Sequence, residues 1–182
     1  MLSGIYPKYP RLDREFFSRD VLAVTPGLIG KSLVRCGPGG LNHYTIIEAE
    51  AYRGEEDQAS HARFGKTSRN RIMYDRGGLV YVYLIYGMYW MLNIVTGAAE
   101  DPQAVLIRGV RQYTGPGRVT KGLGIDGTFN REDLASSGRI WIEDTGFRPA
   151  LIAGPRVGLD YAGEPWISKP WRFIIKNEKE KI

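Results

Sequence analysis

The sequence predicts an α+β fold: one compact domain over residues 1–182, built on a mixed, mostly antiparallel sheet with peripheral helices and a protruding β-hairpin. Three observations predict it. Segments that alternate with period two, or that concentrate β-branched and aromatic residues, outnumber convincing helical segments. The uncharged, tyrosine-rich run Leu79–Val95 is divided by Gly87 in the manner of two strands and a turn. The connections, Gly37-Pro38-Gly39-Gly40 foremost, read as tight turns, so hairpins dominate over βαβ units.

Taken in order, Asp13–Ser18 starts a short helix with Phe16 and Phe17 on its apolar side. Thr25-Pro26 reads as an N-cap followed by proline at the first helical position. Ser32–Cys36 is a strand, and after the Gly37–Gly40 turn a second strand runs from His43 to Tyr52. On that strand Thr45, Ile47, Ala49 and Ala51 share one face, and Ile46, Glu48, Glu50 and Tyr52 share the other. The small apolar set belongs against the core, which leaves the carboxylates and the tyrosine on an accessible face. Glu55–His61 and Thr67–Tyr74 read as short helical turns ahead of the hairpin. Beyond it come a strand at Ala104–Arg108, a helix around Gly117–Gly122, a turn opened by Asn130 as a cap, and strands at Arg139–Ile142 and Trp171–Ile175. The charged end, Lys176–Ile182, is expected to fray.

Composition bounds the function. Lys plus Arg is 25 against 20 Asp plus Glu, a formal charge of +5, which mildly favours polyanionic partners. A single cysteine, Cys36, excludes an internal disulfide framework and fits a reducing, cytoplasmic setting. With only His43 and His61 beside it, no cluster for structural zinc can form. Met1–Pro10, interrupted by Gly4, Pro7 and Pro10, does not read as a signal peptide. Leu79–Val95 approaches the length of a membrane span, but its five aromatic residues, Gly87 and Asn93 argue for strands, and no membrane role is expected.

Two motifs tempt and fail. Gly30-Lys31-Ser32 lacks the earlier glycine of a phosphate-binding loop, because that position is Thr25. Gly122-Leu123-Gly124-Ile125-Asp126-Gly127 matches a dinucleotide fingerprint in letters only. It follows a helix where the fingerprint follows a strand, and helix-capping glycines explain it.

The informative region is a pair of adjoining charge blocks. Glu48, Glu50, Glu55, Glu56 and Asp57, with Arg53 among them, precede Arg63, Lys66, Arg69, Arg71 and Arg76, with Asp75 among them. By charge alone these are compensating surface residues. Tyr52, His61, Phe64 and Tyr74 interleave with them, however, and the tyrosine hairpin follows. Cations for phosphates combined with aromatic faces for bases compose a site for an unstacked nucleotide. A carboxylate beside them points to chemistry on that nucleotide.

Ile47-Glu48-Ala49-Glu50-Ala51-Tyr52, Glu56-Asp57, Ala59-Ser60-His61, Ser68-Arg69-Asn70-Arg71 and Met73 resemble the 3-methyladenine (alkyladenine) DNA glycosylase family. Tyr81–Tyr89, Leu92-Asn93, Ala104–Arg108 and Gly154–Gly158 continue the resemblance, which runs in order from about Phe16 to Phe173. The short stretch between Arg108 and Gly115 fits a bacterial-type, minimal form. The resemblance implies a monofunctional enzyme that removes damaged purines from double-stranded DNA, with no metal or cofactor, as a monomer. It implies Glu50 as general base, with Arg108 and the Val157 carbonyl holding the nucleophilic water. Tyr52, His61 and Tyr83 would wall the base pocket, and Asn93 would disfavour the exocyclic amine of guanine. Tyr86, with Met88 beside it at the hairpin turn, would fill the gap left by the flipped nucleotide, and Lys66, Arg69 and Arg71 would meet phosphates. For Glu48 two readings stand: a like charge that raises the Glu50 pKa, or a carboxylate paired off by an arginine. The competing functions are a damaged-DNA-binding module without turnover and a nucleosidase acting on free purine nucleosides.

Overall fold

A computed structural model describes residues 7–176, so the expectation for the charged end lies, beyond Lys176, outside the described residues. The organising element is β2 (Gly40–Arg53), a 14-residue strand. Its first half pairs with β1 (Ser32–Gly37), and its second half pairs with β5 (Gln103–Val110) and, at residues 48–50, with β9 (Arg172–Ile175). The hairpin β3 (Val80–Ile85) and β4 (Tyr89–Val95) joins through β5, and β7 (Ile140–Glu143) joins through β1. Two short strands, β6 (Tyr113–Thr114) and β8 (Leu151–Gly154), add to β5 and β9. Every one of these pairings is antiparallel. The α+β class therefore stands as the sequence predicts. The two short strands β6 and β8 were not predicted from the sequence.

The two faces of the sheet do different work. Ala49, Ala51, Val80, Val82, Leu92, Ile94, Val105 and Ile107 point to one side, where the helix α2 (Val21–Leu28) inserts Val21, Val24 and Leu28. A third helix, α3 (Pro116–Leu123), adds Val119 and Leu123 and ties itself to β4 by a Thr120 hydroxyl bond to the Trp90 carbonyl, 2.9 Å. The other face carries Tyr81, Tyr83 and Asn93 of the hairpin and Glu48, Glu50 and Tyr52 of β2. It is covered by 3-10 turns at His61–Phe64 and Arg71–Tyr74 and by the chain after β8. Period-two alternation is thus what separates core from site.

Several local expectations are corrected. The first short helix, α1 (Arg14–Phe17), is capped by Asp13 as predicted, but Thr25-Pro26 opens nothing. Asp20 caps α2, accepting from the Leu22 N–H at 2.8 Å, and Thr25 bonds back to the Val21 carbonyl inside the helix. Pro26 sits in the last turn, two residues before the helix ends. Asn130 is not an N-cap either: it closes a 3-10 turn begun by Asp126, and its side chain accepts from the Val82 N–H. Glu55–Ser60 forms turns and no helix, because the Asp57 carboxylate accepts from the Arg53 and Ala59 amides and competes with helical bonding. The β2 carboxylates are not accessible: Glu50 is 0% and Glu48 5% exposed. Ile46, expected on their face, is buried with Ile47 in the core, since the β2–β5 register slips between Ile46 and Ala49.

Among the described residues no helix is long and apolar enough to cross a membrane, and Leu79–Val95 forms the predicted hairpin. Asp20 both caps α2 and pairs with Arg53 at 2.9 Å. Asp20→Ala is expected to cost about 1 kcal/mol, lowering the melting temperature by about 2–4 °C in thermal denaturation.

Candidate active site

The slip between β2 and β5 has a chemical consequence. It leaves Arg108 as the extra residue between the paired Ile107 and Gly109, opposite the Glu48–Ala49 step. A bulge re-aims a side chain, and here it directs the Arg108 guanidinium onto two carboxylates. Its Nε lies 3.0 Å from Glu48 Oε1 and 3.4 Å from Glu50 Oε1. Glu50 Oε1 also accepts a hydrogen bond from the Val157 N–H at 2.8 Å, and Oε2 accepts one from the Tyr52 hydroxyl at 3.0 Å. The structure therefore brings Glu50, Arg108 and Val157 together. Val157 meets Glu50 through its N–H, a contact separate from the water-holding role that the resemblance implies for its carbonyl.

Burial raises the Glu50 pKa above the usual carboxylate range, opposed by Arg108, the Val157 amide and the Tyr52 hydroxyl, with Glu48 adding a smaller upward push. Both readings of Glu48 meet here. Its charge does face Glu50, but Arg108 at 3.0 Å and Arg172 at 2.7 Å pair it off.

Next to this centre lies a pocket of about 380 Å³ lined by Tyr52, Ala59, His61, Met73, Tyr81, Tyr83, Asn93, Ala104 and Tyr161. All four base-pocket residues expected from the resemblance are in that lining. Their elements explain the convergence. Tyr81 and Asn93 are directly opposed across the hairpin, Tyr83 stands two residues on, and β5 places Ala104 beside Tyr52. His61 opens a 3-10 turn capped by the Ser60 hydroxyl, and its Nδ1 lies 3.0 Å from the Tyr81 hydroxyl. Its ring meets Tyr83 edge-on at 4.5 Å between centroids. Burial, with Arg69 and Arg63 nearby, pushes the His61 pKa down to about 4, so the imidazole is neutral near pH 7. Burial pushes the Tyr81 hydroxyl up to about 12 and moves Tyr52 and Tyr83 upward as well. The pocket walls are uncharged.

Outside the pocket the expected DNA-facing residues divide. Tyr86 and Met88 stand at the hairpin tip, 85% and 65% exposed. The Ile85–Met88 turn is closed by a 3.0 Å bond, and both Tyr86 and Gly87 have positive φ, the signature of a type I′ turn. Arg69 is exposed beside the pocket, bonded to the Leu84 carbonyl and 5.3 Å from the Tyr83 ring centroid, and Arg71 is also exposed. Lys66 is paired with Glu100 at 2.7 Å at the surface. No group of three or more His, Cys, Asp or Glu able to hold a metal occurs among the described residues.

Four participants had no assigned role in the sequence reading. Tyr81 was signalled by its two-residue spacing from Tyr83. Tyr161 had no local signal. Asp57 and Arg156, present in the motifs, form a fully buried bidentate pair beside the centre, at 2.6 and 2.9 Å.

A buried, arginine-faced carboxylate joined through Tyr52 to an uncharged aromatic pocket, with arginines at the rim and an exposed aromatic tip, is an arrangement suited to chemistry on one extruded nucleobase. The family model for methylpurine-DNA glycosylase (MPG) matches residues 15–113 and 110–179. A protein of Methanocella arvoryzae named "Putative 3-methyladenine DNA glycosylase" is 42% identical over 92% of this chain and 94% of its own length. Proteins with the same name from an Anaeromyxobacter species and from Borrelia garinii are 42% and 39% identical, over 91% and 92% of the chain and 89% and 97% of theirs. The chain belongs to the methylpurine-DNA glycosylase family.

The raised Glu50 pKa makes a stability prediction. The folded state binds this proton more tightly than the unfolded chain, whose glutamates titrate near about 4.3. Stability is therefore lost as pH rises through the folded-state value, and the penalty is fully present above it. Glu50→Gln keeps an acceptor for the Val157 amide and removes the buried charge. It is expected to melt about 2–4 °C higher than wild type at neutral pH, with the advantage vanishing in melts at about pH 4.

Proposed function

We propose that this protein is a monofunctional DNA glycosylase that flips alkylated or deaminated purines out of duplex DNA and hydrolyses the N-glycosidic bond with a water activated by Glu50. Its substrates would be of the 3-methyladenine, 7-methylguanine, hypoxanthine and ethenoadenine class. The observation that carries this reading is the hydrogen bonding of Glu50. A carboxylate offers about four acceptor positions. Oε1 takes the Val157 amide and faces Arg108, while Oε2, among the described residues, accepts from Tyr52 alone and retains capacity for a water proton.

In the proposed reaction the damaged purine occupies the pocket and its bond to the sugar lengthens. The bonding pair leaves with the base while positive charge develops on the sugar ring, where the Glu50 carboxylate offsets it. Water adds to the anomeric carbon and gives its proton to Glu50. With water as nucleophile and no amine involved, the product is an intact abasic site and no strand is cut. A cationic alkylpurine leaves as a neutral base and suits the faces of Tyr52 and Tyr83, with His61 neutral beside it. The prokaryotic relatives support a cytoplasmic enzyme working on chromosomal DNA.

Single-turnover excision on duplexes carrying ethenoadenine, hypoxanthine or 7-methylguanine tests the reading. Wild type should release base, and Glu50→Gln should be slower by about 10²–10⁴-fold. Release by both proteins at similar rates moves the general base elsewhere, whereas tight lesion binding without release by wild type makes the protein a damage-binding module. The rate with subsaturating enzyme should fall steeply with salt, as counterion release from phosphates requires, which a nucleosidase acting on free nucleosides would not show.

Tyr86→Ser should weaken retention of the flipped state. Loss of lesion affinity of about tenfold in equilibrium binding, with the saturated excision rate reduced less than Glu50→Gln reduces it, is the expected pattern.

A further inference from the structure

We propose that the buried Asp57–Arg156 ion pair is a clamp that holds the Val157 N–H and the Tyr52 hydroxyl on the Glu50 carboxylate. The inference rests on the reading of Glu50 as general base and gives Arg156 and Asp57 the role of positioning residues, since neither lines the base pocket.

The geometry links three separate parts of the site. Arg156 Nη1 and Nη2 bond the two Asp57 oxygens at 2.6 and 2.9 Å, and Nη1 also donates to the Ala51 carbonyl on β2 at 2.9 Å. The guanidinium carbon lies 4.7 Å from the ring centroid of Tyr52 and 5.0 Å from that of Trp171, so the Tyr52 ring packs against a fixed cation. Asp57 accepts from the amides of Arg53 and Ala59, which fixes the end of β2 and the start of the pocket wall. Val157 is the next residue along the chain from Arg156. A guanidinium tethered to both β2 and Asp57 leaves its neighbouring amide little freedom, and that amide is the one 2.8 Å from Glu50 Oε1.

Stability alone is a poor account of the pair. Both side chains are 0% exposed, and desolvating two charges offsets much of their attraction. Arg156 Nε is moreover buried without a hydrogen-bond partner, a cost that a staple for the fold would not need. What the arrangement does provide is orientation, through a planar fork held on two carboxylate oxygens and flanked by two rings.

The clamp should be visible in the titration of Glu50. The groups facing that carboxylate are Glu48 and Tyr52 on its own strand, Arg108 from β5 and the Val157 amide. Arg172 of β9, paired with Glu50 in register, turns to Glu48. The Val157 amide and the Tyr52 hydroxyl both favour the ionised form, so loosening them moves the titration to higher pH.

The experiment is the pH profile of single-turnover excision on an ethenoadenine duplex, with enzyme saturating, for wild type, Asp57→Asn, Arg156→Lys and Glu50→Gln. Asp57→Asn keeps the shape of the acceptor and removes its charge. Arg156→Lys keeps the charge but cannot bridge both oxygens and the Ala51 carbonyl. Either variant should move the acid limb upward by about one pH unit, which is about tenfold in rate below the limb. Above it the rate should return to within about threefold of wild type. Rates are compared over the pH range in which circular dichroism shows the folded fraction of each variant to be constant, where the limb position does not depend on that fraction, so one variant that folds in part is enough. A limb at the wild-type position, with lower melting temperature or an even loss of rate at every pH, makes the pair a staple of the fold and overturns the proposal. If Glu50→Gln excises normally, the assignment of the base fails first. If it is inactive while the limb is unmoved, only the clamp fails.

Discussion

A carboxylate held at 0% exposure is the constraint on which the rest of the site depends. In its ionised form Glu50 loses several kcal/mol of hydration on burial, which fixed dipoles and cations must return. Arg108 supplies the cation, and reaches inward only because the β2–β5 ladder slips by one residue on each strand. Glu48, two residues from Glu50, would leave one guanidinium shared between two carboxylates, and Arg172 from β9 supplies a second. The long β2 strand is therefore required twice: it carries the carboxylates, and its two edges bring an arginine from each side. The remaining donors, Tyr52 and the Val157 amide, come from elements that the Asp57–Arg156 pair draws together.

The same economy of charge governs the pocket. His61 and the three tyrosines are all pushed toward their neutral forms by burial, so no positive charge lines the cavity. Arg63 and Arg69 stand in the neighbouring groove with Phe64 and Thr67. Cations outside and neutral aromatic rings inside suit a ligand whose phosphates remain at the surface while its base moves in. For a cationic purine the aromatic walls are attractive faces, while the arginines closest to them, Arg69 at Tyr83 and Arg156 at Tyr52, stand outside the lining.

Much of this was legible in the sequence because alternation is a strong signal on strands. Glu50 with Tyr52, and Tyr83 near Asn93, follow from period two once the strands are placed, and the resemblance covered the site in order along the chain. Burial was not legible. Glu48 and Glu50 read as accessible because alternation tells which residues share a face, and it cannot tell that the chain after β8 will cover that face. The Arg108 bulge is equally silent, being a property of two strands in register and of neither alone. Thr25-Pro26 misled because the cap pattern is local, whereas α2 begins at Asp20, whose carboxylate also binds Arg53 across the fold. The Lys66–Glu100 pair was not legible for a similar reason: its two residues are remote in sequence.

The hairpin couples the two halves of the proposed reaction through geometry alone. Tyr83, a wall of the pocket on β3, and Tyr86, in the turn that follows β3, are three residues apart in sequence. Tyr86 adopts a positive φ that non-glycine residues seldom occupy, and its ring remains 85% exposed with Met88 and Tyr89 beside it. Exposed apolar side chains such as Tyr86 and Met88 are unfavourable in water and would gain by insertion into stacked bases. β3 is paired along its whole length with β4, and β4 pairs with β5 at Asn93–Val95, beside the pocket. On the proposed reading, entry of the tip into DNA would bring the pocket toward the same base pair. The free energy gained by burying the tip helps offset the few kcal/mol needed to extrude the nucleotide.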